Sequence, residues 1–240
     1  MSLAASIRLS RRDFELAVEF DVTPSRTLAL VGPNGAGKTT TISAIAGLVP
    51  LRGTVVLDGR VLDDSASSRH LPAEHRRVGV LFQDYLLFPH LSVLDNVAFA
   101  PRARGLGRQA AREAAAQHLD RLGIAALSNH YPTSLSGGQS QMVALARTLA
   151  SDPLALVLDE PLAALDVEVR ADTRAELASH LAGFPGPVIV VTHDLADVAT
   201  LAADVIVIEN GAVTQRGTLA QLMANPATTY VERLVAGGNR

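Results

Sequence analysis

Residues 27–31, Thr-Leu-Ala-Leu-Val, run without a charge into Gly32, and residues 32–39 then read Gly-Pro-Asn-Gly-Ala-Gly-Lys-Thr. No other stretch narrows the possible folds as much. An apolar run of this length ending at glycine predicts a buried strand of a parallel sheet. Thr40–Leu48 continues with apolar residues at helical spacing, Ile42, Ile45 and Ala46, so a helix follows the loop directly. Between strand and helix, Gly32–Thr39 fits the phosphate-loop pattern G-x-x-x-x-G-K-[ST]. Three glycines let successive backbone N–H groups turn inward on phosphate oxygens, and the helix N-terminus adds the positive end of its dipole. At average composition such a match arises by chance in about one chain of this length in a hundred. Gly32, Pro33, Asn34, Gly35, Ala36, Gly37, Lys38, Thr39 and Thr40 are the expected ATP-binding segment. Lys38 would reach the β- and γ-phosphates, and the Thr39 hydroxyl would ligate Mg²⁺. The dinucleotide fingerprint G-x-G-x-x-G is not met.

The remaining pattern sets the fold class. Ile7–Val22 alternates as strands do, with Arg11-Arg12-Asp13 as the expected hairpin turn, and Gly53–Leu62 reads as a second hairpin around Asp58-Gly59. Val78–Phe82, Leu154–Leu158, Val188–Val191 and Val205–Ile208 are further strand candidates. Between the first two of these the composition turns helical and Ala-rich, most plainly over Ala110–Leu122. Strands alternating with helical segments predict an α/β fold with a mainly parallel sheet. The expectation is one domain over residues 1–240, a phosphate-loop NTPase (RecA-like) core with an N-terminal antiparallel β region and a helical subdomain inserted at about residues 88–152. Only Asp63–Ser68 reads as a low-complexity linker.

A phosphate loop needs a second, acidic site to hold the metal and activate water. Ala155-Leu156-Val157-Leu158-Asp159-Glu160 supplies four apolar residues of a buried strand and then two acids at its carboxyl end, the edge where open α/β sheets bind ligands. Asp159 is the candidate outer Mg²⁺ ligand and Glu160 the candidate general base. The plain alternative is an acidic start to a helix opened by Pro161.

Leu135-Ser136-Gly137-Gly138-Gln139 is the sharpest local feature. Two glycines ahead of a helix are unfavourable unless something requires close backbone approach. The helix that follows carries Met142, Leu145 and Leu149 on one face, and Ser136 can cap it while facing an anion.

With these residues together the chain resembles the ATP-binding cassette (ABC) ATPases over essentially its whole length. Gly32–Thr39 is similar to the family's Walker A segment, Ala155–Glu160 to Walker B and Leu135–Gln139 to the signature. Gln83 resembles the glutamine of the Q-loop, Ala164-Leu165-Asp166 the D-loop and His193 the switch histidine. The resemblance implies two copies paired head to tail, with ATP between one Walker A segment and the partner's signature. Ser136, Gly137, Gly138, Gln139 and Asp166 would then serve an ATP held by the other copy, as an arginine finger does elsewhere. It implies further that Gln83 touches Mg²⁺ and the attacking water, that His193 bonds the γ-phosphate, and that an aromatic residue stacks on adenine. Phe14 is the candidate for that stack and Phe20 the runner-up, with packing in the core the equal reading for either.

Arg76-Arg77-Val78-Gly79, Phe82-Gln83-Asp84 and Leu87-Phe88-Pro89-His90 together resemble the ATPase subunits of bacterial molybdate or tungstate importers. Similar runs occur in importers for sulfate, iron, polyamines and sugars. The implied partners are a second copy, integral-membrane permease subunits and, indirectly, a solute-binding protein. The implied location is the cytoplasmic face of the cell membrane, as a peripheral subunit. The stretch Leu86–Leu91 is apolar and aromatic beside Gln83, as a docking groove requires; the plain alternative is that it packs the edge of the helical insertion. Two departures stand out. Ser140-Gln141-Met142 occupies the place where the family usually carries a Gln-Arg pair, and the chain stops at Arg240, where many such importers continue into an oxyanion-sensing β-domain.

Composition excludes other classes. The chain has no cysteine, so disulfide scaffolds and thiolate metal sites are out. A net charge of -3 gives no electrostatic footprint for nucleic acid. The interval from Lys38 to Asp159 is too short for the coiled coils of DNA-repair cassette proteins, and a translation-type protein needs two cassettes. No apolar run approaches the roughly 18 residues of a membrane span, so the expectation is a soluble, cytosolic protein.

Overall fold

The computed structural model describes residues 1–11 and 14–237. Strands β1 (Leu3–Arg11) and β2 (Phe14–Val22) pair antiparallel from Leu3↔Val22 to Arg11↔Phe14. Two residues of the expected turn, Arg12 and Asp13, lie outside the described residues. Leu16, Val18, Phe20 and Val22 point inward at a period of two. β3 (Thr27–Val31) is followed by the loop and by α1 (Lys38–Ala46). β4 (Arg52–Leu57) and β5 (Arg60–Asp64) turn at Asp58 and Gly59, both at positive φ, as a two-residue hairpin requires.

The segment expected as a linker is ordered. Asp63 and Asp64 end β5, and β6 (Arg69–His70) folds back on them with Asp63 opposite His70. Asp64 Oδ1 accepts the Ala66 N–H at 3.0 Å, and Ser67 Oγ donates to Asp64 Oδ2 at 2.7 Å. The polar composition that looked like a linker is a set of side chains closing a tight turn.

β7 (Val78–Leu81) precedes three helices, α2 (Val93–Ala103), α3 (Arg108–Arg121) and α4 (Gly137–Ala150), and the chain returns through β8 (Ala155–Asp159). α5 (Val167–Ala182), β9 (Val188–Val191), α6 (Leu195–Leu201) and β10 (Asp204–Glu209) follow. β11 (Ala212–Gly217), α7 (Leu219–Ala224) and α8 (Thr229–Gly237) complete the chain; none of these three was anticipated from sequence, because each is short and half-exposed.

Among the described residues the strands form one sheet in the order β6-β5-β4-β1-β2-β11-β10-β3-β9-β8-β7. The run β10-β3-β9-β8-β7 is parallel throughout. β6-β5-β4-β1-β2 is antiparallel. One core cluster joins α1 (Ile42, Ala44, Ile45) to the inner face of the antiparallel strands and to the parallel strands. A second joins α2, α3, α4 and α5 to β7 and β8 through Val93, Leu119, Leu145, Leu158 and Leu177. Each such side chain, fully buried, contributes about 1.5–3 kcal/mol. The loop is thereby anchored between a rigid strand and a helix that is itself clamped in a core.

Candidate nucleotide site

Strand register builds the site. Leu30 and Asp159 both pair with Val191, and Leu81 pairs with Leu158. The carboxyl ends of β3, β9, β8 and β7 therefore stand in a row. Gly32, His193, Asp159 with Glu160, and Gln83 each lie at or within two residues of those ends.

The loop is held from both sides. Gly37 has φ 105°, and a Cβ there would come within 2.6 Å of Leu16 Cδ1 and 2.9 Å of the Phe14 ring. Only glycine allows this approach. Phe14 consequently lies against the loop with part of its surface open, whereas Phe20 is 3 % exposed within the core and has no free face for a base. Lys38 is buried, and its ammonium donates to the carbonyls of Gly32 at 2.8 Å and Pro33 at 3.0 Å. Burial lowers its pKa, against the opposing pull of Glu160 and Asp159. Asp159 is buried too. Burial raises its pKa and the Glu160 charge adds to the rise, while Lys38 and a hydrogen bond from the Thr39 side chain oppose it.

Glu160 adopts φ 46°, and its N–H donates to Val191 O at 2.9 Å. That left-handed turn directs the chain out of the sheet immediately after Asp159. Oε1 of Glu160 lies 3.4 Å from Nδ1 of the exposed His193. Pro161 does not open a helix: α5 begins at Val167, with Asp166 as an N-cap that makes no side-chain cap bond. Glu160 is thus not a helix-capping acid.

The structure brings Lys38, Thr39, Asp159, Glu160 and His193 together. Gln83 is exposed at the same edge and, among the described residues, makes no hydrogen bond to them. Ser136–Gln139 stand at the start of α4 and Asp166 at the start of α5, and among the described residues their side chains make no hydrogen bond to that group. Ser136 Oγ accepts the Gln139 N–H at 3.3 Å and Gln139 Oε1 accepts the Ser136 N–H at 2.9 Å, a capping box for α4. The glycine pair has a local cause as well. A Cβ at Gly137 would meet Leu165 Cδ2 at 2.9 Å, and one at Gly138 would meet Thr173 Oγ1 at 3.3 Å.

Other positions gave no motif signal. Tyr85 and Leu86 sit at positive φ, and Arg147 on α4 clamps their carbonyls at 2.7 and 2.6 Å. The Tyr85 hydroxyl reaches Pro161 O at 3.4 Å. Tyr230 on α8 has its pKa raised chiefly by burial, with the Gly32 backbone opposing the rise. These contacts join residues far apart in sequence, so local spacing carries no trace of them.

The oxygen donors fit a hard cation: a threonine hydroxyl and an aspartate carboxylate already within hydrogen-bonding reach of each other suit Mg²⁺, which keeps its remaining positions for phosphate and water. Residues 16–163, from β2 to the loop behind Glu160, match the ABC transporter family. The chain belongs to that family.

Among ABC relatives, the molybdenum import ATP-binding protein ModC of Mycobacterium tuberculosis is 45% identical over 232 residues, covering 95% of this chain and 63% of ModC. The Fe(3+) ions import ATP-binding protein FbpC of Streptomyces avermitilis is 39% identical, over 98% of this chain and 67% of that protein. This chain thus spans about 63% of the length of the ModC it matches. Among solved structures, a dimeric post-hydrolysis state of the ATP-binding cassette MJ0796 bound to ADP and Pi superposes with a TM-score of 0.73 at 27% identity, covering 91% of this chain and 98% of the other. The fold is accordingly the α/β phosphate-loop NTPase fold of ABC ATPases.

Proposed function

We propose that this chain hydrolyses ATP as the nucleotide-binding subunit of an ABC importer. The observation that carries the reading is the convergence of Lys38, Thr39, Asp159, Glu160 and His193 at one sheet edge. The backbone of Gly32–Thr39 and the Lys38 ammonium bind the β- and γ-phosphates; Lys38 releases its own loop carbonyls to do so. Thr39, Asp159 and Gln83 would hold Mg²⁺, which neutralises phosphate charge when bound. Glu160 accepts the proton of the attacking water, and His193 orients the γ-phosphate side of the site. Phe14 stacks on the adenine.

A second copy completes the site. Ser136, Gly137, Gly138, Gln139 and Asp166 face the partner's ATP, and the signature amides stabilise charge on its γ-phosphate in trans. The dimeric MJ0796 cassette supports this arrangement. Val167 and Val169, 83% and 46% exposed beside Asp166, provide apolar surface for the pairing.

A membrane permease docks in the groove of about 410 Å³ lined by Phe82, Leu86, Phe88, Phe99 and Arg147. The import ATP-binding relative supports a peripheral subunit at the cytoplasmic face; among the described residues no helix is long and apolar enough to cross a membrane. The transported solute is an oxyanion of the molybdate type, delivered by a solute-binding protein; the ModC relative at 45% supports it over the FbpC relatives at 35–39%. Ferric iron is the second reading those relatives favour. Uptake into vesicles carrying the chain with its permease, offered molybdate, tungstate, sulfate or ferric iron, tests the reading. Molybdate uptake that requires ATP is the expected outcome, and uptake of iron alone would overturn the oxyanion assignment.

A further inference from the structure

Buried polar side chains normally find partners, so each one that does not calls for a reason. Six buried side-chain atoms in the described residues lack a hydrogen bond: Asp63 Oδ2, Arg112 Nε, both amide atoms of Gln141, Arg170 Nε and His180 Nε2. Three have an ionisable side chain beside them. Arg76 stands 2.6 Å from Asp63 Oδ2, Asp95 stands 2.9 Å from Arg112 Nε, and Glu176 stands 3.9 Å from His180 Nε2. What remains is Gln141, wholly buried with neither amide atom partnered, and Arg170 Nε.

Arg170 touches residues 161–166, and Gln141 lies on the helix that packs against them. Arg170 donates through Nη2 to Leu165 O at 3.0 Å and Ala163 O at 3.4 Å. Gln141 follows Gly137 by four residues and Gly138 by three, so it shares their helix face. That face packs on Leu165, Val169 and Thr173, with Ala164 O 3.7 Å from where a Gly137 Cβ would stand. A helical side chain leans toward the helix N-terminus, which for Gln141 is the direction of the bare glycines and of this loop. The loop connects to Glu160 at its start and to Asp166 at its end.

We infer that Gln141 is a positioning residue that exchanges an unpartnered amide for hydrogen bonds to the backbone of residues 161–166 when two copies close on ATP. The inference rests on the paired-site reading above. Ser136–Gly138 serve the ATP of the partner, while the loop leads from the Glu160 of this chain's own ATP. Gln141 stands between the two on α4. Movement of the signature helix onto the partner's γ-phosphate carries the amide with it and draws the loop, and so Glu160, into register. The amide costs stability in the open state and recovers it in the closed one, which makes closure cooperative. An amide used only for packing would gain nothing from its nitrogen and oxygen.

The test compares the full chain with Gln141→Met, an apolar side chain of nearly the same shape. Melting is recorded without nucleotide, ATP binding at low protein concentration, and hydrolysis across ATP concentrations. The expected result has three parts. Melting temperature is equal or higher, because replacing an unpartnered polar group by an apolar one is neutral or stabilising. Binding to the separate chain is unchanged. Turnover falls about tenfold, the worth of a recovered hydrogen bond or so, and the Hill coefficient for ATP drops toward one. A lowered melting temperature, whatever the turnover, means the amide is already partnered in the resting fold and overturns the inference. Unchanged turnover and Hill coefficient overturn it as well. If the unmutated chain hydrolyses no ATP, the paired-site reading fails first, and this inference with it.

Discussion

Nδ1 of His193 and Oε1 of Glu160 lie 3.4 Å apart, on residues that leave neighbouring parallel strands whose Asp159 and Val191 are in register. Neither side chain is placed by its own loop alone. Glu160 leaves β8 through a left-handed turn fastened to Val191 O, and His193 leaves β9 two residues beyond that same valine. The carboxylate that would take a proton from water and the imidazole that would face the γ-phosphate therefore share one mechanical reference.

Glu160→Gln keeps the shape and the backbone turn but removes the base. Nucleotide affinity is expected to stay within error, while turnover falls by about 10²–10⁴, the usual worth of a general base. The unhydrolysed ATP should hold two copies together, seen as a shift to dimer in gel filtration with Mg-ATP. Turnover within tenfold of the parent chain would remove Glu160 from the role of base.

The nucleotide-free site stores unfavourable charge. Asp159 has a folded pKa above its ordinary value of 3.8, so its stabilising share is present below that value and is lost as pH climbs through the folded one. Lys38 has a folded pKa below 10.5, so folding weakens as pH falls from that value through the folded one. Between these windows both groups are charged and the empty site is at its least stable. Asp159→Asn should raise the melting temperature of the nucleotide-free chain at neutral pH, a gain of about 1 kcal/mol, and abolish Mg²⁺-dependent ATP binding. A drop in melting temperature would show that the carboxylate stabilises the empty fold.

The loop, its strand and its helix were legible because binding phosphate through backbone N–H groups demands glycines between a buried strand and a helix start. The acids at the end of β8 were legible for the same kind of reason. Contacts across the fold were not. Arg147 binds the carbonyls of Tyr85 and Leu86 from about sixty residues away, and no periodicity records a partner so distant. Asn96 illustrates the point: it appears as one polar residue in a helix, yet it bonds the backbone of Phe88, Leu91 and Ser92 and shapes the groove. Asp63–Ser68 misled in the opposite direction, since a serine-rich turn closed by its own side chains has the composition of a linker.

Arg76 is fully buried, pairs with Asp63 at 2.6 Å, and donates to Ala44 O and Ile45 O at 3.0 Å in the last turn of α1. It ties the helix behind the phosphate loop to the β5–β6 hairpin. Asp63→Ala would leave a guanidinium buried without its counter-charge, at a cost of about 3–5 kcal/mol. Denaturant unfolding should show that loss. Asp63→Ala combined with Arg76→Met should recover part of it, because the stranded charge goes with its partner. Equal stability of Asp63→Ala and the parent chain would mean the carbonyls of α1 suffice to hold Arg76.

Phe99 is 49% exposed and its ring lies 4.7 Å from that of Phe88, over which Arg147 sits at 5.5 Å. These groups wall the groove and stand apart from Lys38 and Glu160. Phe99→Glu should leave the ATP hydrolysis of the isolated chain unchanged, since it touches neither nucleotide nor water. A charge introduced into an apolar docking surface costs binding energy at the point where aromatic anchors contribute most. In vesicles, stimulation of hydrolysis by the permease should therefore fall about tenfold or more for Phe99→Glu, an anchor's share of binding energy. Full stimulation by the permease would place the docking surface elsewhere and leave the groove without a partner.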